Sequence, residues 1–271
     1  MEVRYLSVRN KHSLSPDFAY LVIKPDCVRR GLVHILLGEL AHENFEVLAF
    51  RIGRVPMSLL FQSHGAAGRL EVDDWRFNAR LHEFGPSVSL LLRRRAGAKR
   101  GTAHAHLRAL KGGALPSNFG SGTLRSRVGA LNRVCNLLHC PDTPLEIVRD
   151  LEAWMPRVEA QVTGTAVTAT SVIEEIERHG YHETCFDPAA LVKPLRERLR
   201  HATTWRSLNR ALMTRAEAIF KGVAAGQPLG MGAHAYLLGL LEDAGVYISA
   251  EESYVLEIAQ RYPASNSPLD R

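Results

Sequence analysis

The 271 residues are 46% hydrophobic and carry 34 Lys and Arg against 28 Asp and Glu, a formal net charge of +6. A chain of this size and apolar content buries one large core or two modest ones, and domains commonly run about 100 to 150 residues, so about two structural units are expected. No apolar run approaches a membrane span, Met1–Ser15 is too polar for a signal peptide, and Cys27, Cys135, Cys140 and Cys185 lack metal-site or disulfide-scaffold spacing, which together point to a soluble cytoplasmic protein with reduced thiols.

In chain order, Ala19–Ile23 reads as a strand, Val33–Asn44 as a helix, and Phe45–Val55, with Glu46-Val47-Leu48-Ala49-Phe50 in rough alternation, as a second strand. A helix begins around Met57-Ser58, short helical pieces lie between Asp73 and Phe84, and Ser87–Leu92 is a third strand. A helix over Ala103–Lys111 leads into a Gly/Ser/Asn loop from Gly112 to Gly122; Val134–Leu138 is the last strand and Leu145–Met155 the helix after it. Strands alternating with helices make this part an α/β sandwich. Beyond Pro156, Gln161–Ser171 reads as linker or frayed helix start, followed by helices at Ser171–His179, Pro188–His201, Trp205–Gly222, Ala233–Ala244 and Ala250–Tyr262. Arg196, Arg198, Arg200, Arg206, Arg210 and Arg215 in this helical tail are expected to line solvated faces.

Two segments carry chemistry. Asn136-Leu137-Leu138-His139-Cys140-Pro141-Asp142-Thr143 sets a histidine at the end of a short apolar run, before Pro-Asp-Thr-Pro turn and helix-start residues. An imidazole there can carry a proton, a metal or a phosphoryl group, although a lone His near a strand end is more often structural. Far upstream, Phe18–Val33 contains Lys24-Pro25-Asp26-Cys27 and then Arg30-Gly31-Leu32-Val33. Gly85-Pro86 before the third strand, Thr123-Leu124-Arg125 and Asn136-x-x-His139 follow in order, with Trp154 near the end of the helix after the histidine. Taken together, these motifs over residues 18–155 resemble the nucleoside diphosphate kinase family.

That resemblance implies a four-stranded antiparallel sheet of ferredoxin-like type within residues 1–158, while the helix formers and the Gly and Pro boundaries after it make 159–271 an all-helical domain of unknown function. The resemblance implies a phosphohistidine enzyme that moves the γ-phosphoryl group of ATP or another NTP, with Mg²⁺ carried by the nucleotide and no metal ligand on the protein. His139 matches the nucleophile. Lys24 matches the residue on the transferring phosphate, Arg108 and Arg125 those on the distal phosphates, and Asn136 the one on the sugar and phosphate side. Asp150 stands where a carboxylate orients the imidazole, one methylene shorter than the usual Glu. Family members commonly form hexamers or tetramers, so a homo-oligomer is an option here.

The sequence departs from the family in several places. Cys27 replaces a Gly, Ala114 a phosphate-binding Thr, and Pro141 a Ser, while Ser63–Phe77 lacks the family's Tyr and offers Arg69, Arg76, Trp75 and Phe77 only as candidates. Two readings follow. One is a phosphotransferase whose acceptor is a nucleoside diphosphate or a specialised phosphorylated or small-molecule substrate. The other is a catalytically weak nucleotide-binding or protein-interaction module whose helical tail carries the biological role. The basic run Arg93–Arg100 contains no aromatic for base stacking, which argues against nucleic acid and for a solvated loop.

Overall fold

The computed structural model describes residues 16–55, 57–60, 72–95, 101–155, 167–180, 186–202 and 210–262. Strands β1 (Phe18–Ile23), β2 (Phe45–Gly53), β3 (Ser87–Arg94) and β4 (Leu138–His139) form one sheet in the order β2-β3-β1-β4, every neighbouring pair antiparallel. The helices of this part are α1 (Pro25–Arg29), α2 (Val33–His42), α3 (Met57–Leu60), α4 (Val72–Leu81), α5 (Ala103–Lys111), α6 (Leu124–Val128) and α7 (Pro144–Trp154).

Helices cover both faces of the sheet, which is why β1 is apolar without alternation. Ala19, Leu21 and Ile23 pack with Leu36 and Leu40 of α2 and Leu107 of α5 on one face. Tyr20 and Val22 pack with Ile147, Leu151 and Trp154 of α7 on the other. A bulge between Val47 and Ala49 lets Leu48 join this second cluster.

Four expectations need correction. The third strand continues through Arg93 and Arg94, paired opposite Phe18, Glu46 and Phe45, so the basic run begins inside the sheet; Arg93 is ion-paired to Glu46, Arg94 is buried, and 96–100 lie outside the described residues. The second strand stops at Gly53 rather than Val55. The helical pieces between Asp73 and Phe84 are one helix, α4. The last strand is only Leu138–His139, because Leu137 takes a positive φ of 71° that a β-ladder cannot accommodate.

The chain divides into two compact units. The first holds the described residues of Met1–Ala114, Asn118–Ala130 and Cys135–Glu183; the second those of Leu115–Ser117, Leu131–Val134 and Thr184–Arg271. Helix α8 (Ala169–Arg178) belongs to the first unit, where Val172 and Ile176 join the α2-side core and Val167 N donates to Val47 O at 2.8 Å. The second unit contains α9 (Pro188–His201), α10 (Arg210–Ala224), α11 (Ala233–Asp243) and α12 (Ala250–Arg261). Asp187 caps α9, and Ser249 with Glu252 forms a capping box on α12. Its arginines are surface partners: Arg196 and Arg200 pair with Glu217, Arg198 with Glu252, and Arg215 lies 4.0 Å above the Tyr236 ring, while Arg206 lies outside the described residues.

Candidate active site

The sheet register decides where His139 points. In the β1–β4 pair, Val22 stands opposite His139 and Ile23 opposite Leu138. Directly opposed residues share a face, so His139 faces the Val22 side, the one covered by α7, while Leu138 enters the α2-side core. A slip of one residue would reverse both. Helix α7 is capped by Thr143, whose hydroxyl accepts from Glu146 N, with Pro144 in the first turn. Ile147, Asp150 and Leu151 then recur at helical spacing on the buried side. Asp150 Oδ2 lies 3.1 Å from His139 Nε2, so the shorter carboxylate still reaches the ring. Its other oxygen, Oδ1, accepts from Arg149 Nε and Nη2 at 3.2 and 3.1 Å.

A strained turn presents the histidine. Leu138 N donates to Asn136 O at 2.9 Å across Leu137, a γ-turn of the rare positive-φ kind. A leucine in this region costs about 1–2 kcal/mol, so the surroundings must hold it there. Leu137 N donates to Asp26 Oδ2 at 2.9 Å and Leu137 O accepts from Lys24 N at 2.9 Å. Arg125, buried beneath the turn, donates from Nε to Asn136 O and from Nη2 to Leu138 O at 3.1 and 2.9 Å. Its Nη1 donates to the carbonyls of Gly112 and Gly113. Gly112 has φ 84°, and a Cβ there would meet Phe119 O at 2.5 Å, so the Gly-Gly pair is what lets two carbonyls turn onto the guanidinium.

Lys24 follows β1 at the N-cap of α1, and its Nζ donates to Asn136 Oδ1 at 3.1 Å. Burial, partly offset by Asp26, lowers the ammonium from 10.5 to about 8. Burial raises Asp26, against the pull of Lys24 and the Leu137 hydrogen bond. Burial likewise lowers Arg125 to about 10. Cys27, at the family's glycine position, is fully buried in α1 and packs in the α2-side core.

Lys24, Arg125, Asn136, His139 and Asp150 therefore form one connected cluster. Arg108 stands apart from it: its side chain is 58% exposed and its Nε lies 3.7 Å from Asp142 Oδ1. Sequence reasoning passed over Lys111, whose Nζ donates to Cys140 O at 3.0 Å and Asp142 Oδ1 at 3.2 Å, and Arg149 behind Asp150. The three-residue spacing from Arg108 to Lys111 on α5 was the available signal. Tyr20 was passed over as well; its buried hydroxyl donates to Ser89 Oγ at 3.1 Å on the face that holds Asp150. Of the Ser63–Phe77 candidates, Arg69 lies outside the described residues, while Trp75, Arg76 and Phe77 lie on α4. Among the described residues no group of three or more His, Cys, Asp or Glu is arranged to hold a metal, and no helix is long and apolar enough to cross a membrane.

The chain is 32% identical over 140 residues to the nucleoside diphosphate kinase of Mycolicibacterium vanbaalenii, covering 50% of this chain and 94% of that protein. It is 29% identical over 153 residues to the one from Thermosynechococcus vestitus, covering 55% and 94%. The solved Aquifex aeolicus nucleoside diphosphate kinase aligns with a TM-score of 0.45 at 16% identity, over 53% of this chain and 97% of that one. The family model for nucleoside diphosphate kinase matches residues 17–160, more than half of the chain, and the chain belongs to that family.

Proposed function

We propose that this chain is a phosphotransferase working through a phosphohistidine at His139. The observation that carries the reading is the Asp150 Oδ2 to His139 Nε2 contact at 3.1 Å, which directs Nδ1 to nucleophilic work. With the Nε2 proton held by Asp150, the Nδ1 lone pair attacks the γ-phosphorus of ATP. The N–P bond forms as the bond to the β,γ-bridging oxygen breaks, and ADP leaves. A terminal phosphate oxygen of the acceptor then takes the phosphoryl group and restores neutral His139. Mg²⁺ accompanies the donor's phosphates as part of the substrate.

In this reading Lys24 neutralises charge on the transferring phosphoryl oxygens, Arg108 binds the distal phosphates, and Asn136 orients Lys24 and meets the nucleotide. The carbonyl contacts of Arg125 favour a holding role for it over a direct phosphate contact. The acceptor is a nucleoside diphosphate or, given Ala114 and the helices beyond residue 160, a more specialised phosphorylated compound. The chemistry lies within residues 1–158. One observation favours the second reading, a weak nucleotide-binding module: the Arg125 guanidinium is already engaged by four backbone carbonyls.

The test is incubation of the full chain with γ-labelled ATP and Mg²⁺. Acid-labile, base-stable label that disappears in a folded His139→Ala variant is expected; undiminished labelling of that variant refutes the assignment. Transfer from ATP to a panel of nucleoside diphosphates then separates a general acceptor from a specialised one.

A further inference from the structure

Arg108 and Lys111 lie three residues apart on α5 and turn the same way, onto the segment just after His139. Both approach Asp142 Oδ1, and Lys111 also donates to Cys140 O, the carbonyl of the residue next to the histidine. Burial would raise the Asp142 carboxyl, but Lys111 and then Arg108 outweigh it and hold it below its ordinary value, with His139 adding to the same effect. The Cys140 thiol, pushed up to about 12 chiefly by burial, feels Lys111, Arg125 and Arg108 together. Arg108 and Lys111 thus bring two cations to the segment after His139, whose carboxylates are Asp142 and Glu146, the latter accepting from Asp142 N at 2.7 Å.

Lys111 is better placed than Arg108 to use that charge. Its side chain is 13% exposed against 58% for Arg108, so solvent screens it less. An ammonium has three donors. Cys140 O and Asp142 Oδ1 take two, fixing the nitrogen and leaving one N–H for a further acceptor. Ala114, at the end of the Gly112-Gly113 loop, brings no hydroxyl to the site, so a phosphate there needs another donor.

We propose that Lys111 is a nucleotide-binding residue of this chain, taking the terminal phosphate of a nucleoside di- or triphosphate together with Arg108 and positioned for it by Asp142 and the Cys140 carbonyl. The proposal rests on the phosphotransferase reading. A lysine that merely tethers the 140–142 segment would affect every ligand alike, whereas a terminal-phosphate ligand discriminates by phosphate number.

The experiment is titration calorimetry of the full chain and its Lys111→Met, Lys111→Gln and Lys111→Arg variants with ATP, ADP and AMP, with thermal melts to confirm folding. Loss of one charged hydrogen bond predicts about 10- to 100-fold weaker ATP and ADP binding in Lys111→Met and Lys111→Gln, with AMP affinity unchanged. Lys111→Arg, which keeps the charge but not the compact ammonium, should lose less ATP and ADP affinity than either neutral variant and leave AMP affinity unchanged. Wild-type ATP affinity in the Met and Gln variants, or an equal loss for AMP, overturns the proposal and leaves the phosphotransferase reading standing. Failure of the wild-type chain to bind ATP or ADP overturns both.

Discussion

Lys24 is 5% exposed, and burial brings its ammonium from 10.5 down to about 8. A difference of about 2.5 pH units, at about 1.36 kcal/mol each, means that the charged form is disfavoured on folding by about 3 kcal/mol. The folded pKa lies below the unfolded one. As pH falls from about 10.5 to about 8 the unfolded chain takes up a proton that the folded chain does not, so stability drops across that window and is level below it. Lys24→Met removes this term. It also removes the donor to Asn136 Oδ1, worth about 1 kcal/mol, so the net gain at pH 7 should be about 2 kcal/mol, the attraction of Asp26 being already contained in the value of about 8. The assay is urea unfolding of both proteins from pH 7 to 10. The variant should be the more stable at pH 7, and its advantage should vanish by about pH 10. It should also lose stabilisation by ATP, because the cation that burdens the fold is the one proposed to meet the transferring phosphate. A variant less stable than wild type at pH 7, with an unchanged difference up to pH 10, would refute the reasoning.

Three further outcomes separate roles within the site. Arg125→Ala strands four backbone carbonyls around a strained turn and should cost at least about 4 kcal/mol in urea unfolding, at about 1–3 kcal/mol for each unsatisfied group; a loss under about 1 kcal/mol would remove it as the turn's support. Arg108→Ala, at an exposed position, should leave stability within about 0.5 kcal/mol but weaken ATP binding by about 1.5–3 kcal/mol in calorimetry, and unchanged affinity would place the phosphates elsewhere. Asp150→Asn should slow formation of the phosphohistidine by about 100-fold or more in single-turnover labelling while ATP affinity stays within about twofold, since it acts on the imidazole rather than the nucleotide; an undiminished rate would show that His139 needs no orienting partner.

Much of the first unit was legible from the order of residues. The apolar run Ala19–Ile23, the helical spacing read over Val33–Asn44 and the one over Leu145–Met155 are local signals, and each became the expected element with bounds shifted by one or two residues. The adjacency of Lys24, Asn136 and His139 came from motif order, and the β1–β4 register then supplied its geometry. Leu137 shows what local reading misses. Its type favours continuing the strand, yet Asp26, Arg125 and the Lys24 backbone, up to 113 positions away, hold it at φ 71°, and propensity contains no term for such contacts. Arg93 and Arg94 erred in the opposite direction, since charge patterning reads them as loop while Glu46 on the neighbouring strand gives Arg93 its partner inside the sheet. The sequence by itself determined the family and roughly where the four strands lie, because these depend on periodicity and on the order of motifs along the chain. Only the tertiary structure decided that Arg125 serves carbonyls, that Asp150 is long enough to reach His139, and that Lys111 reaches Cys140 O and Asp142 in the segment after it. Those facts depend on which distant backbone groups need partners once the sheet has closed.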